Sequence, residues 1–195
     1  MTKRDVINMA LDYLNIEAVD SDSNERLNIT KKANRWYDTA ALFVLKLHDW
    51  FEAIAHTTLT TEASITNVWD DTFGYVYALP SGCLRVMALD LDSNAKYIVE
   101  GSYLYTNYYD AASGVDCQYL KDIREESNNS LLYSDMLGEA IAARLAYNLA
   151  PIADKGTFRA IFDDIIQDAI EDDKQSSRWS AGHENPYWTD IDRGE

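Results

Sequence analysis

Cysteine and proline are scarce in this chain, positive charge is heavily outnumbered, and long apolar runs are missing altogether. Two cysteines, Cys83 and Cys117, are present; both fall in segments that read as strands, and their spacing matches no thiolate metal site. Two buried free thiols are the main reading, with a strand-to-strand disulfide as the alternative. No window approaches the roughly 18 unbroken apolar residues of a membrane span, so no membrane association is expected. The opening MTKRDVINMALDYLN lacks an apolar core between its basic and acidic residues and is expected to be neither a signal peptide nor an anchor. Lys and Arg number 17 against 33 Asp and Glu, a formal net charge of −16. That balance argues against a protein whose work is gripping phosphates, since such binding is driven by counterion release to basic side chains. It leaves open a surface past which DNA slides without sticking.

The signatures of catalysis are equally thin. No glycine-rich phosphate loop occurs, and the histidines His48, His56 and His183 are scattered, with no serine or cysteine motif of nucleophile type beside them. His48, next to Asp49 at a helix end, reads as a partner of the helix dipole. The carboxylate pairs Asp70-Asp71, Asp163-Asp164 and Asp172-Asp173 are neighbours in sequence, point in different directions and read as solvated surface. No enzyme, cofactor or metal is expected.

What is present is periodicity. Thr2 with Asp5 forms a capping-box pattern ahead of Val6, Ile7, Ala10, Leu11 and Leu14. After the polar link Asp20 to Asn24, a long helix carries Ile29, Ala33, Trp36, Ala40, Phe43 and Leu47 at alternating steps of four and three, read as one core stripe. With the apolar stripes assigned to the bundle's own core, the isolated protein is expected to be mostly monomeric.

From His56 to Lys121 the pattern changes to strands: HTTLTT, ITNV, FGYVYAL and CLRVMAL either side of Pro80-Ser81-Gly82, KYIVE, SYLYT and VDCQYLK. Glu100-Gly101 marks a tight hairpin. Trp50, where the long helix hands over to the first strand, is expected to fill the joint between bundle and insertion. Tyrosines 97, 103, 105, 108, 109 and 119 suit half-buried sheet faces or an interface.

Helix returns with Leu137, Ile141, Leu145 and Leu149 among alanines, ends at Pro151, and resumes with Phe158, Ile161, Phe162, Ile165 and Ala169 opposite an acidic face. From Ser176 periodicity is lost, yet Trp179, Tyr187, Trp188 and Ile191 interrupt the polar text and are candidate anchors for a partner. The expected fold class is mainly α with a β insertion. A helical bundle (1–54 and 125–175) carries a small antiparallel β subdomain (55–124) and an extended C-terminal tail (176–195).

The segments LHDWFEAIAHTTLT, YVYALPSGCLRVMAL, YIVEGSYLYTNY, VDCQYL and EAIAARLAYNLAPI follow in an order that resembles the tail tubular protein A family, the head-to-tail adaptors of short-tailed bacteriophages. The resemblance spans roughly Lys3 to Lys174 and is aligned first on Trp50, Tyr77, Leu79, Pro80, Leu84, Arg85 and Gly101. Structural roles are assigned to Trp36, Trp50, Pro80 and Gly101. What the resemblance implies is a virion protein of the phage neck, made in the host cytoplasm. It would form a homo-oligomeric ring of twelve subunits between the portal protein and a tail nozzle protein like tail tubular protein B. DNA would pass its acidic wall without specific binding. Portal binding is assigned, on residue type and not on the resemblance, to Trp179, Tyr187, Trp188 and Ile191, which lie beyond its span. A phage interaction module that forms no ring, or a tail-associated cell-wall hydrolase, are the alternatives.

Overall fold

The chain begins with the capping box read from its sequence. Thr2 Oγ1 accepts the Asp5 N–H at 3.3 Å while Asp5 Oδ2 accepts the Thr2 N–H at 2.9 Å, and helix α1 runs Lys3–Tyr13 from that cap. The Thr2 N–H, then the Thr2 hydroxyl, which donates to the same carboxylate oxygen at 2.8 Å, hold the Asp5 pKa below its ordinary value. The computed structural model describes residues 1–15, 24–62, 72–108, 114–124 and 133–181. Helix α2 spans Asn24–Leu47, α3 spans Asp135–Leu149 and α4 spans Lys155–Ala181. Strands are β1 Ile54–Leu59, β2 Tyr75–Ala78, β3 Cys83–Leu89, β4 Tyr97–Glu100, β5 Tyr103–Thr106 and β6 Val115–Lys121.

Two compact units result, one from Met1–Glu52 with Arg124–Glu195, the other from Ala53–Ile123. In the first, α3 packs against α1, α2 and α4. A helix with partners on three sides must be apolar nearly all round, and Leu137, Gly138, Ala140, Ile141, Ala142, Ala143, Leu145 and Ala146 are all buried. The small residues let the flanking helices approach closely.

The second unit holds two three-stranded antiparallel sheets, ordered β1-β6-β3 and β2-β5-β4. They share a core of Leu59, Tyr77, Leu104, Val115, Cys117 and Tyr119. Pro80-Ser81-Gly82 does not close a hairpin: it is a corner that hands the chain from β2 in one sheet to β3 in the other, with Gly82 at φ +78° and the Cys83 N–H bonded to the Pro80 carbonyl at 3.1 Å. Gly101, at φ +59°, makes the tight β4–β5 turn.

Several expectations are corrected. The fold is not mainly α with a small β appendage: four helices and two sheets among the described residues make a mixed α/β fold, and the sheets enclose a core of their own. The strands themselves are legible; their pairing into two sheets that close on a core of their own depends on partners distant in the chain, which spacing along the sequence does not give. The extended tail does not begin at Ser176, because α4 continues to Ala181.

The core stripe of α2 is displaced. Its buried residues are Ala33, Tyr37, Ala40, Ala41, Val44 and Leu45, whereas Trp36, Phe43 and Leu47 are 43%, 39% and 46% exposed. At about 100° per residue, the expected stripe lies along one flank of the buried arc and not on its centre. Trp36 is therefore not a core residue. The ITNV segment and the residues Asp70, Asp71, Tyr109, Tyr187, Trp188 and Ile191 lie outside the described residues, as does the Trp179 side chain.

Candidate interaction surface

Trp36, Phe43 and Leu47 fall within about 40° on the helical wheel of α2 and form a single exposed strip. Lys32, Lys46 and Arg35 occupy the next arc toward solvent, all exposed. Between residues 28 and 47 the chain carries Lys31, Lys32, Arg35 and Lys46 against Asp38 alone, so this helix is locally cationic on an acidic protein. Scattered exposed apolar residues are ordinary, but an aligned aromatic and aliphatic strip beside basic side chains has the composition of an interface.

The middle of the strip is held in place from below. Arg144 of α3 sets its guanidinium 3.8 Å from the Phe43 ring centroid, 4.9 Å from Tyr147 and 5.5 Å from Phe162. Phe43 and Phe162 meet at 6.2 Å in a tilted pair. Planar, weakly hydrated guanidinium stacks on several rings at once better than an ammonium does. Burial lowers the Arg144 pKa, and its Nε is buried without a hydrogen-bond partner.

A polar cluster lies where the end of α2, the start of α3 and the length of α4 converge. His48 Nε2 meets Asp173 Oδ2 at 3.0 Å, and Asp173 Oδ1 accepts the Phe51 N–H at 3.0 Å. Glu52 accepts the Ser134 N–H at 2.8 Å and its hydroxyl at 2.9 Å, while Ser134 Oγ caps α3 by accepting the Leu137 N–H at 3.2 Å. Burial raises the Glu52 pKa, against those two bonds, which lower it. Beside them Trp50 is 1% exposed, its indole N–H donating to the Val44 carbonyl at 2.9 Å. A cavity of about 100 Å³ opens here between Trp50, Glu52, Ser134, Met136, Ala169 and Asp172.

The cluster corrects two readings. Asp173 is not solvated surface, and His48 pairs with its carboxylate across 125 residues of sequence as well as standing at a helix end. It is an internal tie: each carboxylate already accepts bonds that fix a loop or a cap. Among the described residues no group of three or more His, Cys, Asp or Glu is placed to hold a metal ion.

Both cysteines are free thiols. Burial, then the neighbouring Cys83, pushes Cys117 up to about 11, a poorly nucleophilic state. In the second unit Tyr75 and Tyr97 flank Thr106 in register, at 38% and 52% exposure. Pro80 is half-buried at its corner. Glu52, Asp173 and the stacking of Arg144 on Phe43 and Phe162 carry no sequence signal, because those partners are distant in the chain; Ser134, three residues before Leu137, is the exception and has the residue type of an N-cap.

No family model matches the chain, and no curated protein matches it. Among the described residues no helix is long and apolar enough to cross a membrane.

Proposed function

We propose that this protein is a structural subunit of a short-tailed phage virion, a head-to-tail adaptor that forms a ring between the portal and the tail nozzle. The observation that carries the reading is the exposed strip Trp36, Phe43 and Leu47 on a buttressed helix, beside a row of basic side chains. Such a strip supports a role in assembly, and the order of sequence segments that resemble tail tubular protein A supports the particular assembly. The proposed role is binding and not turnover. Acidic side chains in excess suit a channel wall, because they repel the phosphate backbone of DNA in transit. Attachment to the portal is assigned to Trp179, Tyr187, Trp188 and Ile191, residue types that dominate binding energy when they fill a partner's pocket.

Imaging of purified protein mixed with purified portal rings tests the proposal. An added ring of density on one face of the portal is expected, and Trp179→Ala with Trp188→Ala should remove most of it. Portals that remain undecorated at saturating protein refute the adaptor role and leave an interaction module without a ring.

A further inference from the structure

We infer that the α2 strip takes the outer face of α4 from a second copy of this chain, in a head-to-tail contact between unlike surfaces. This rests on the adaptor reading and specifies how neighbouring subunits would meet. The occupant is identified by charge and shape together. Between residues 158 and 176, α4 carries six carboxylates against two cations, the reverse of α2. The carboxylates are not spread evenly. Asp164, Asp168 and Asp172, all exposed, share an arc of about 100° with the half-buried Ile161 and Ile165. On α4 two half-buried isoleucines thus sit among exposed carboxylates, and on α2 an exposed apolar row has a basic border.

The match is side chain to side chain. Trp36, Phe43 and Leu47 supply apolar area for Ile161 and Ile165, while Lys32, Arg35 and Lys46 neutralise Asp164, Asp168 and Asp172. Like-charge repulsion disfavours the alternatives in which α4 meets α4 or α2 meets α2. Because the two surfaces differ, each copy keeps one of each unsatisfied after pairing, and repetition of the contact closes a ring or extends a filament. The contact also relieves part of the self-repulsion expected of a strongly acidic subunit, since it joins the cationic helix of each copy to the anionic helix of the next.

The test is complementation between two charge-reversed proteins, all of whose altered residues are exposed. One carries Lys32→Glu and Lys46→Glu; the other carries Asp164→Lys and Asp168→Lys. Because Trp36, Phe43 and Leu47 are exposed and not core, the monomer expected from the sequence gives way to self-association: sedimentation velocity should show concentration-dependent association of the unaltered protein in moderate salt, weakened about tenfold in each variant alone and restored when the two are mixed. Trp36→Ala should weaken association in every combination. The inference is overturned if the unaltered protein stays monomeric over the whole concentration range, if the α4 variant associates as well as the unaltered protein, or if mixing restores nothing. Retention of duplex DNA by the unaltered protein, lost in the α2 variant with no change in association, would assign the basic strip to nucleic acid instead. Portal decoration is scored separately. Rings on the portal from a chain that is monomeric in solution refute this contact and leave the adaptor reading standing, whereas self-association without portal attachment does the opposite.

Discussion

Trp50 offers the most demanding test of the helical unit. Its indole is 1% exposed, meets the His48 ring edge-on with centroids 5.2 Å apart, and donates its only N–H to Val44. Val44 is one of the last four residues of α2, whose carbonyls have no partner within the helix, so the indole doubles as a cap for that end. Replacing a buried tryptophan by alanine costs about 3 to 5 kcal/mol in lost packing. The stranded Val44 carbonyl adds up to about 1 to 3 kcal/mol unless water enters from the adjoining cavity. For a chain of this size each kcal/mol lowers the melting temperature by about 2 to 4 °C, so Trp50→Ala should melt about 6 to 20 °C lower from lost packing, and up to about 12 °C lower still if the Val44 carbonyl stays dry. Trp50→Phe separates the two contributions, since it keeps an aromatic ring and loses the N–H; about 1 to 3 kcal/mol is expected. Thermal and urea unfolding followed by far-ultraviolet circular dichroism reports on the helices. A Trp50→Ala protein that melts within about 2 °C of the unaltered one would show that the indole packs nothing of consequence.

Gly114 stands at φ +77°, and a Cβ there would lie 2.5 Å from the Leu59 carbonyl oxygen and 2.9 Å from Thr58 Cγ2. Gly114→Ala should therefore cost at least about 2 kcal/mol by urea unfolding followed in the near-ultraviolet, whereas Gly101→Ala, with open space around it, should cost about 1 kcal/mol from φ strain alone. An unchanged midpoint for Gly114→Ala would refute the close approach of β6 to β1. Glu52 gives a pH signature. Its pKa is raised by burial, so the folded chain holds that proton more tightly than the unfolded chain, whose value is about 4.3. As pH rises from about 4.3 through the folded value, stability contributed by this group is lost. In Glu52→Gln that loss is absent, and the melting temperature of the unaltered protein relative to the variant should fall as pH rises across the window; a flat difference would show that Glu52 titrates normally.

Local chemistry is legible in the sequence. The Thr2–Asp5 capping box, the ending of α3 before Pro151, the tight turn at Gly101 and the approximate positions of six of the seven expected strand segments, ITNV lying outside the described residues, all depend on residues within a few positions of one another. Interactions of that range are set by backbone geometry and hydrogen bonding that any copy of the segment would share. Three outcomes depended on which surfaces meet. Which side of α2 faces inward was decided by α3, and it left Trp36, Phe43 and Leu47 outside although their spacing alone reads as core. The strand before Pro80 and the strand after Gly82 joined different sheets, since β5 and β6, each later in the chain, captured one apiece. Asp173 became the partner of His48 and of the Phe51 N–H because α4 runs past the end of α2, a juxtaposition that no spacing along the chain encodes. Periodicity measures the width of an apolar face but not the direction from which a neighbour arrives, and burial is a property of the pair.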